Sequence, residues 1–213
     1  MSSSGIVVID YGLGNPSSVR NMLRKAGYDA DVTSDPVAIR TASRLLLPGV
    51  GAFDLGMQNL ADRGLIDVLN DAVLARKTPI LGICLGLQLM SRRSDEGVRP
   101  GLGWLAAETV RFNFPSGAPA LRVPHMGWND VTKRRDTFLS RSIPDNGRFY
   151  FVHSYHVRCD DPADVALTAH YGGDVVAATV KGNIAGTQFH PEKSHQFGLA
   201  LLRAFIEWDG VHG

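Results

Sequence analysis

The sequence predicts an α/β fold: one three-layer domain with a mainly parallel central sheet, helices on both faces and a β-rich second half. Three observations lead to this prediction. Continuous apolar runs alternate with helical periodicity in the first half, and short strand-like runs between Gly, Pro and Asp dominate beyond about residue 100. The chain has 213 residues and 44% hydrophobic content, which suits one domain over residues 1–213.

The chain opens with a strand–loop–helix unit. Residues 5–10 form a continuous apolar run, which is typical of a strand covered on both faces. Asn15 and Pro16 indicate a helix N-cap with proline at the first helical position. The apolar spacing that follows predicts a helix that stops at Gly27.

This unit repeats twice, and the repetition predicts a parallel sheet. Residues 45–47 form a second buried strand, closed by Pro-Gly-Val-Gly at 48–51 and followed by helical periodicity through 60–73. Residues 79–83 form a third strand, with a short helix predicted at 85–93. Strands that alternate with helices pair in parallel. The second half is predicted to hold short strands at 109–112, 148–152, 165–169, 174–180 and 184–189, and a last helix from 196 to 207.

Composition and charge narrow the classes of partner. A formal charge of +1 and a pI near 7.9 give no electrostatic reason to expect nucleic acid or an acidic membrane. No apolar run approaches the roughly 20 residues that cross a bilayer, and the N-terminus lacks the layout of a signal peptide. We therefore expect a cytoplasmic protein with free thiols at Cys84 and Cys159. His153 and His156, three apart in one predicted strand, point to opposite faces, so no metal site is expected.

Cys84 is the candidate nucleophile. It lies between Gly82 and Gly86 at a predicted strand-to-helix junction. A sharp turn of this kind needs small neighbours so that the nucleophile can adopt a strained backbone and project outward. A buried structural cysteine is the alternative interpretation, because free cysteine is often buried.

His190 and Glu192 are the candidate partners of this cysteine. A cysteine nucleophile needs a base, and the base needs a group that orients it. His190 follows the predicted strand at 184–189, and Pro191 fixes the turn to Glu192. In that turn the carboxylate can accept from one ring nitrogen while the other faces the thiol.

Six segments, in order along most of the chain, resemble the class I glutamine amidotransferases, and especially the glutaminase subunit of imidazole glycerol phosphate synthase. The Gly-x-Cys-x-Gly and His-Pro-Glu segments mark the wider class. Pro-Gly-Val-Gly-Ala-Phe and His-Met-Gly-Trp-Asn narrow the resemblance to this subunit type. The segments are Asp-Tyr-Gly-Leu-Gly-Asn at 10–15, Pro-Gly-Val-Gly-Ala-Phe at 48–53, Gly-Ile-Cys-Leu-Gly-Leu-Gln-Leu at 82–89, Pro-His-Met-Gly-Trp-Asn at 124–129, Phe-Val-His-Ser-Tyr at 151–155 and Gln-Phe-His-Pro-Glu-Lys-Ser at 188–194.

The resemblance implies a role for each matching position. It implies a Cys84, His190 and Glu192 triad that hydrolyses L-glutamine to glutamate and ammonia without a cofactor. The remaining implied roles are an oxyanion hole from the backbone of Leu85 and of the loop that contains Gly49, Val50 and Gly51, contacts to the substrate's α-amino end from Gln88 and Glu96, and contacts to its α-carboxylate from Ser154 and Tyr155.

The resemblance also implies a partner protein. Subunits of this type form a heterodimer with a (β/α)₈-barrel cyclase, which takes the ammonia to build imidazole glycerol phosphate in histidine biosynthesis. The expected interface segment contains His125, Met126, Trp128 and Asn129, although a turn in the core would explain the same residues.

Two other functions remain open at this point. A similar subunit that supplies ammonia to amidinate a surface-polysaccharide sugar would share the triad. The stretch from His156 through Pro162, and His195 after Lys193 and Ser194, resemble that branch. A stand-alone cysteine hydrolase of γ-glutamyl bonds would also share the triad, but it would not need the segment around Trp128.

Overall fold

The computed structural model describes residues 5–114 and 121–211. Within these residues the chain forms strands, α-helices and a few irregular helical turns. The strands are β1 (Ile6–Ile9), β2 (Asp31–Thr33), β3 (Arg44–Gly49), β4 (Ile80–Cys84), β5 (Ala107–Arg111), β6 (His125–Lys133), β7 (Arg148–His153), β8 (Tyr155–Cys159), β9 (Val165–His170), β10 (Asp174–Lys181) and β11 (Ile184–Thr187). The helices are α1 (Pro16–Lys25), α2 (Pro36–Thr41), α3 (Phe53–Asp62), α4 (Leu65–Asn70), α5 (Leu85–Leu89), α6 (Phe138–Arg141) and α7 (His195–Glu207), with a π-helical turn at Asp71–Ala75 and 3₁₀ turns at Pro162–Asp164 and Pro191–Lys193.

Nine of these strands form one sheet in the order β2-β1-β3-β4-β11-β10-β9-β6-β7. The first five strands in this order pair in parallel, and β10, β9, β6 and β7 continue the sheet with antiparallel pairing. β5 and β8 make a separate antiparallel pair. This arrangement confirms the predicted α/β class, including its β-rich second half.

Both faces of the sheet are covered, which explains the unbroken apolar runs of the strands. Alternate residues of β1 enter different clusters: Ile6 and Val8 lie on one side, and Val7 and Ile9 on the other. Helices α1, α6 and α7 cover the first side, and α2 to α5 cover the second. Asn15 caps α1 as predicted, because its side chain accepts from the N–H of Ser18 at 3.0 Å.

The topology brings several chain segments to one edge of the sheet. Gly49 at the end of β3 pairs with Cys84 at the end of β4, and Thr187 at the end of β11 pairs with Ile83. Because parallel strands end at the same edge, the segments that follow β3, β4 and β11 meet there. In the part of the chain that the structure describes, no helix is both long and apolar enough to cross a membrane.

Candidate active site

Cys84 lies at a sharp turn between β4 and α5. Its φ of 53° and ψ of −106° are strained for a residue with a side chain. A Cβ on Gly82 would lie 2.7 Å from the Leu87 nitrogen, and one on Gly86 would overlap the Leu47 carbonyl oxygen. The backbone therefore packs so closely around the turn that positions 82 and 86, two residues either side of Cys84, must both be glycine. This is the turn that the sequence predicted.

His190 and Glu192 form a buried hydrogen-bonded pair beside this turn. His190 follows β11, and the 3₁₀ turn Pro191–Lys193 returns the carboxylate of Glu192 towards the ring. His190 Nδ1 lies 2.7 Å from Glu192 Oε1, and both side chains are almost fully buried. A carboxylate can only accept, so Nδ1 carries the hydrogen and Nε2 is left for another partner.

The surroundings of His190 favour its charged form. Burial lowers the pKa of His190, but the nearby Cys84 and the hydrogen-bonded carboxylate of Glu192 outweigh burial and raise its pKa to about 9. The two acidic neighbours therefore stabilise an imidazolium at this position. Such a ring can hold the proton that a cysteine thiol must lose before it attacks.

A second polar side chain reaches Cys84. The amide Nε2 of Gln188 donates to Cys84 Sγ at 3.7 Å, and the Val152 carbonyl lies 4.0 Å from the same sulfur. Gln188 was not among the predicted site residues, although the segment 188–194 contains it. Its sequence signal was its place two residues before His190, in the segment that continues from β11.

All four predicted substrate contacts line one cavity next to Cys84. The cavity has a volume of about 410 Å³. A larger one, about 500 Å³, lies between α6 and α7, away from Cys84. The predicted residues that line the cavity are Val50, Gly51, Cys84, Leu85, Gln88, Glu96, Ser154 and Tyr155.

Two of the predicted substrate contacts already make hydrogen bonds within the protein. Gln88 Nε2 donates to the Tyr155 carbonyl at 2.9 Å and to Gln188 Oε1 at 3.2 Å. Glu96 Oε2 accepts from the N–H of Phe53 at 2.8 Å, which satisfies a donor at the start of α3. The atoms of these residues that suit an ammonium group are therefore Gln88 Oε1 and the other carboxylate oxygen of Glu96.

Comparison with known proteins decides the family. The model of the glutamine amidotransferase class-I family matches residues 7–208. The chain belongs to the class I glutamine amidotransferase family. It is 49% identical to the imidazole glycerol phosphate synthase subunit HisH 2 of Methanococcus maripaludis over 95% of this chain and 98% of that relative. It is 47% identical to the subunit of the same name in Pseudomonas aeruginosa, with the same coverage. A crystal structure of a glutamine amidotransferase superposes with a TM-score of 0.73, at 18% identity over 94% of this chain and 97% of that one, which supports the fold.

In this amidotransferase the end of β3 is packed tightly against Tyr11. The Gly49 backbone lies so close to the Tyr11 hydroxyl that a Cβ there would overlap it, and the Gly14 backbone also packs on Gly49. Gly49 therefore lies behind the loop and does not line the cavity, whereas Val50 and Gly51 do. Burial, and after it the charge of Cys84, raise the pKa of Tyr11 well above its ordinary value.

The segment that was predicted to contact a partner divides into an inner and an outer part. His125 is only 3% exposed and faces the interior, whereas Met126 and Trp128 are 62% and 39% exposed. The Trp128 ring stacks on His195, with centroids 5.4 Å apart and planes within 5°. Asn129 is half-buried and donates to His125 Nε2 and to the His170 carbonyl.

The histidines near this amidotransferase site do not assemble into a metal centre. Within residues 5–114 and 121–211, no three His, Cys, Asp or Glu side chains are arranged to hold an ion. His153 ends β7 and His156 lies in β8, so the single strand assumed for them was wrong. The chain turns between them, and both rings pack on Phe112, at 5.2 and 4.8 Å.

Proposed function

We propose that this amidotransferase, as one domain over residues 1–213, is the glutaminase subunit of an imidazole glycerol phosphate synthase, with Cys84, His190 and Glu192 as its triad. The observation that carries this proposal is the strained Cys84 turn beside a buried His190 that is hydrogen-bonded to Glu192. The HisH relatives at 49% and 47% identity support the assignment to histidine biosynthesis.

The first half of the reaction forms a thioester. The Cys84 thiol gives its proton to His190 Nε2, and the thiolate attacks the side-chain amide carbon of glutamine. Backbone N–H groups of Leu85 and of the Val50–Gly51 loop stabilise the oxyanion, a contribution worth roughly 10²–10³ in rate for one donor. His190 then protonates the departing nitrogen, so ammonia leaves and a glutamyl thioester remains on Cys84.

The second half of the reaction regenerates the enzyme. A water molecule loses a proton to His190 and attacks the thioester carbon, and the C–S bond breaks with its electron pair on sulfur. Glutamate leaves, and the proton on His190 is again available to Cys84. Glu192 keeps the ring in one orientation throughout, because Nδ1 stays bonded to its carboxylate.

The ammonia would pass to a partner subunit in the cytoplasm. Bulk water at neutral pH would protonate ammonia. The ammonia therefore needs a sheltered route through an interface to the cyclase, where the proposed lyase reaction takes place. We place this interface, within a heterodimer with a (β/α)₈-barrel cyclase, on β6 at the exposed Met126 and Trp128; the half-buried Asn129 supports it from the inner side through its bonds to His125 and His170. Apolar aromatic surface of this kind is typical of protein contacts.

Glutamate release by the purified chain, with and without the barrel subunit, tests the proposal. Cys84→Ala should lower the rate by about 10⁴-fold or more. Cys159→Ala is the matched control, because burial raises the pKa of Cys159 to about 12 and no role in the triad is proposed for it. Persistent turnover in Cys84→Ala would contradict the triad. High turnover without any partner would instead favour a stand-alone γ-glutamyl hydrolase.

A second destination for the ammonia is favoured by one observation. Both relatives reported above carry the number 2 in the name HisH 2, which is consistent with a second copy of the subunit. A second copy would be free to supply ammonia for amidination of a surface-polysaccharide sugar. Assays of the chain with each barrel protein of its own genome, for imidazole glycerol phosphate and for the amidinated sugar, separate the two functions.

A further inference from the structure

Gln188 is a buried polar residue that the proposed triad does not use. Its side chain is fully buried at the end of β11, and its Nε2 lies 3.7 Å from Cys84 Sγ. A buried amide of this size is costly unless its hydrogen bonds are made. The two partners of the Gln188 side chain are Cys84 and Gln88, both at the site.

A chain of hydrogen bonds fixes which end of the Gln188 amide faces Cys84. The Tyr155 carbonyl can only accept, so Gln88 must present Nε2 to it, at 2.9 Å. The same Nε2 lies 3.2 Å from Gln188, which must therefore present its oxygen to Gln88. The remaining atom of the Gln188 amide, Nε2, then points its hydrogens at the sulfur. The Tyr155 carbonyl, acting through Gln88, thus determines that Gln188 presents a donor to Cys84.

We propose that Gln188 is a further catalytic residue of the glutaminase reaction, which holds the sulfur of Cys84 in its thiolate form by donating a hydrogen bond to it. This inference rests on the proposed function. Before attack, the bond stabilises the nucleophile. When water displaces the thioester, the electron pair of the C–S bond returns to sulfur, and the same N–H stabilises this leaving group.

The other groups around Cys84 do not make an uncharged donor to the thiolate redundant. Helix α5, which begins at Leu85, has only five residues, so its dipole gives a thiolate little support. His190, with Glu192 behind it, faces the sulfur from the turn after β11, and Tyr11 interacts with it from the loop after β1. His153 lies at the end of β7, where burial lowers its pKa to about 3 and keeps the ring neutral. Gln188 adds a donor that does not change its charge with pH.

Alkylation of Cys84 by iodoacetamide tests this role without glutamine turnover. In a Cys159→Ser background Cys84 is the single thiol, and its alkylation rate is followed from pH 5 to 10. Gln188→Met keeps the volume and removes the donor. We expect its alkylation midpoint to rise by about one pH unit, and the rate below the midpoint to fall about tenfold.

A matched control separates this effect from loss of a buried amide. Asn183 precedes β11 at the far end, is buried, and donates to the carbonyls of Val73 and Thr78. Asn183→Leu should lower stability and leave the Cys84 alkylation profile unchanged. Gln188→Glu provides a second variant if Gln188→Met does not fold, and its carboxyl should also raise the midpoint, because it offers Cys84 negative charge.

The outcomes distinguish this proposal from the proposed function. A wild-type alkylation profile in both Gln188 variants would overturn the role of Gln188, even where the chain hydrolyses glutamine. A raised midpoint in a chain that releases no glutamate, with or without a barrel partner, would support the donor and contradict the glutaminase assignment.

Discussion

The backbone at Cys84 is held in its strained conformation by its neighbours. A non-glycine residue with a φ of 53° costs roughly 1–3 kcal/mol, which the surrounding structure must offset. Pairing of β4 with β3 on one side and with β11 on the other supplies that support, since Gly49 pairs with Cys84 and Thr187 with Ile83. The strained turn places Cys84 at the wall of the cavity that the predicted substrate contacts also line.

Glu192 orients His190, and its replacement should show how much that orientation contributes. In Glu192→Gln the amide can present its NH₂ group to Nδ1, which would favour the ring tautomer with hydrogen on Nε2. That tautomer cannot accept the thiol proton, so we expect glutamine hydrolysis to fall by about 10²–10⁴-fold. The measurement is kcat for glutamate release at saturating glutamine.

The matched control for this variant is Glu207→Gln. Glu207 accepts from the Tyr28 hydroxyl at the end of α7, far along the chain from the site, so kcat should not change. Equal kcat in Glu192→Gln and the unmodified chain would show that His190 needs no carboxylate.

The sequence was informative for the proposed triad because its members lie at or shortly after the ends of buried strands. Cys84 and His190 could be placed from apolar runs and small residues alone, and the structure brings both to one edge of the sheet. Gln188 was missed because its place two residues before His190 does not by itself indicate a contact with Cys84. Its contacts with Cys84 and Gln88 bring together residues about a hundred positions apart, which only the fold makes neighbours.

At the scale of elements, the close packing of α5 against β3 should make Gly86 intolerant of any side chain. A Cβ on Gly86 would overlap the carbonyl oxygen of Leu47, and backbone cannot move as a flexible side chain can. We expect Gly86→Ala to lower the free energy of unfolding by about 3 kcal/mol or more. Urea denaturation followed by circular dichroism measures it.

Gly56 in α3 provides the comparison, because it is also a buried glycine against α5. A Cβ there would lie 3.1 Å from the flexible Leu89 side chain, and alanine favours a helix over glycine by about 1 kcal/mol. Gly56→Ala should therefore change stability by less than about 1 kcal/mol. A small loss in Gly86→Ala as well would mean that the turn can relax.

The sequence predicted several kinds of strand, and the plainest signals were the unbroken apolar runs of the parallel sheet. β1, β3, β4 and β11 lie inside the parallel sheet, so both of their faces are apolar and the runs are continuous. β2 was missed because it is a short, partly exposed edge strand, and β6 because polar residues and Gly127 interrupt it. The predicted helix at 85–93 ends at Leu89, after which the chain bonds to β5 through Arg92 and Ala107.

For the whole molecule, two buried histidines predict a loss of stability in acid. Burial lowers the pKa of His125 to about 4 and that of His153 to about 3, from 6.5. Between about pH 6.5 and 4 the unfolded chain therefore binds more protons than the folded one. Their contribution to stability is fully present above pH 6.5 and is lost as the pH falls, by up to about 1.4 kcal/mol per pH unit for each histidine.

Unfolding by urea at pH 7, 6, 5 and 4 measures this dependence, and a His125→Gln, His153→Gln variant serves as the comparison. The variant should lose stability less steeply over the same range. The stabilisation from His190, whose pKa is raised to about 9, is complete below pH 6.5 and declines as the pH rises towards 9; it does not confound the comparison, because both proteins keep His190. If the free energy of unfolding falls equally steeply with pH in the two proteins, protonation of His125 and His153 does not cause the loss of stability.

The proposed partner surface on β6 is connected to the proposed triad through the neighbouring strand β7. Trp128 on β6 pairs with Tyr150 on β7, and the Tyr150 carbonyl accepts from the backbone N–H of His190 at 2.9 Å. Tyr150 and His190 also share Ser194, whose hydroxyl accepts from the Tyr150 N–H and donates to the His190 carbonyl. A barrel subunit bound at Trp128 would therefore press on β7, the strand whose Tyr150 carbonyl holds the backbone N–H of His190.

Trp128→Ala should for this reason weaken the association and leave the isolated chain unchanged. Loss of a central aromatic anchor costs about 2 kcal/mol or more, so we expect the Kd for the barrel subunit to rise about 30-fold. Val37→Ala is the control, because Val37 is 64% exposed on α2, away from β6. Calorimetric titration gives both constants, and glutamate release without the partner should equal that of the unmodified chain. An unchanged Kd in Trp128→Ala would move the interface away from β6, and a slower isolated enzyme would mean that Trp128 supports the site through its stacking on His195.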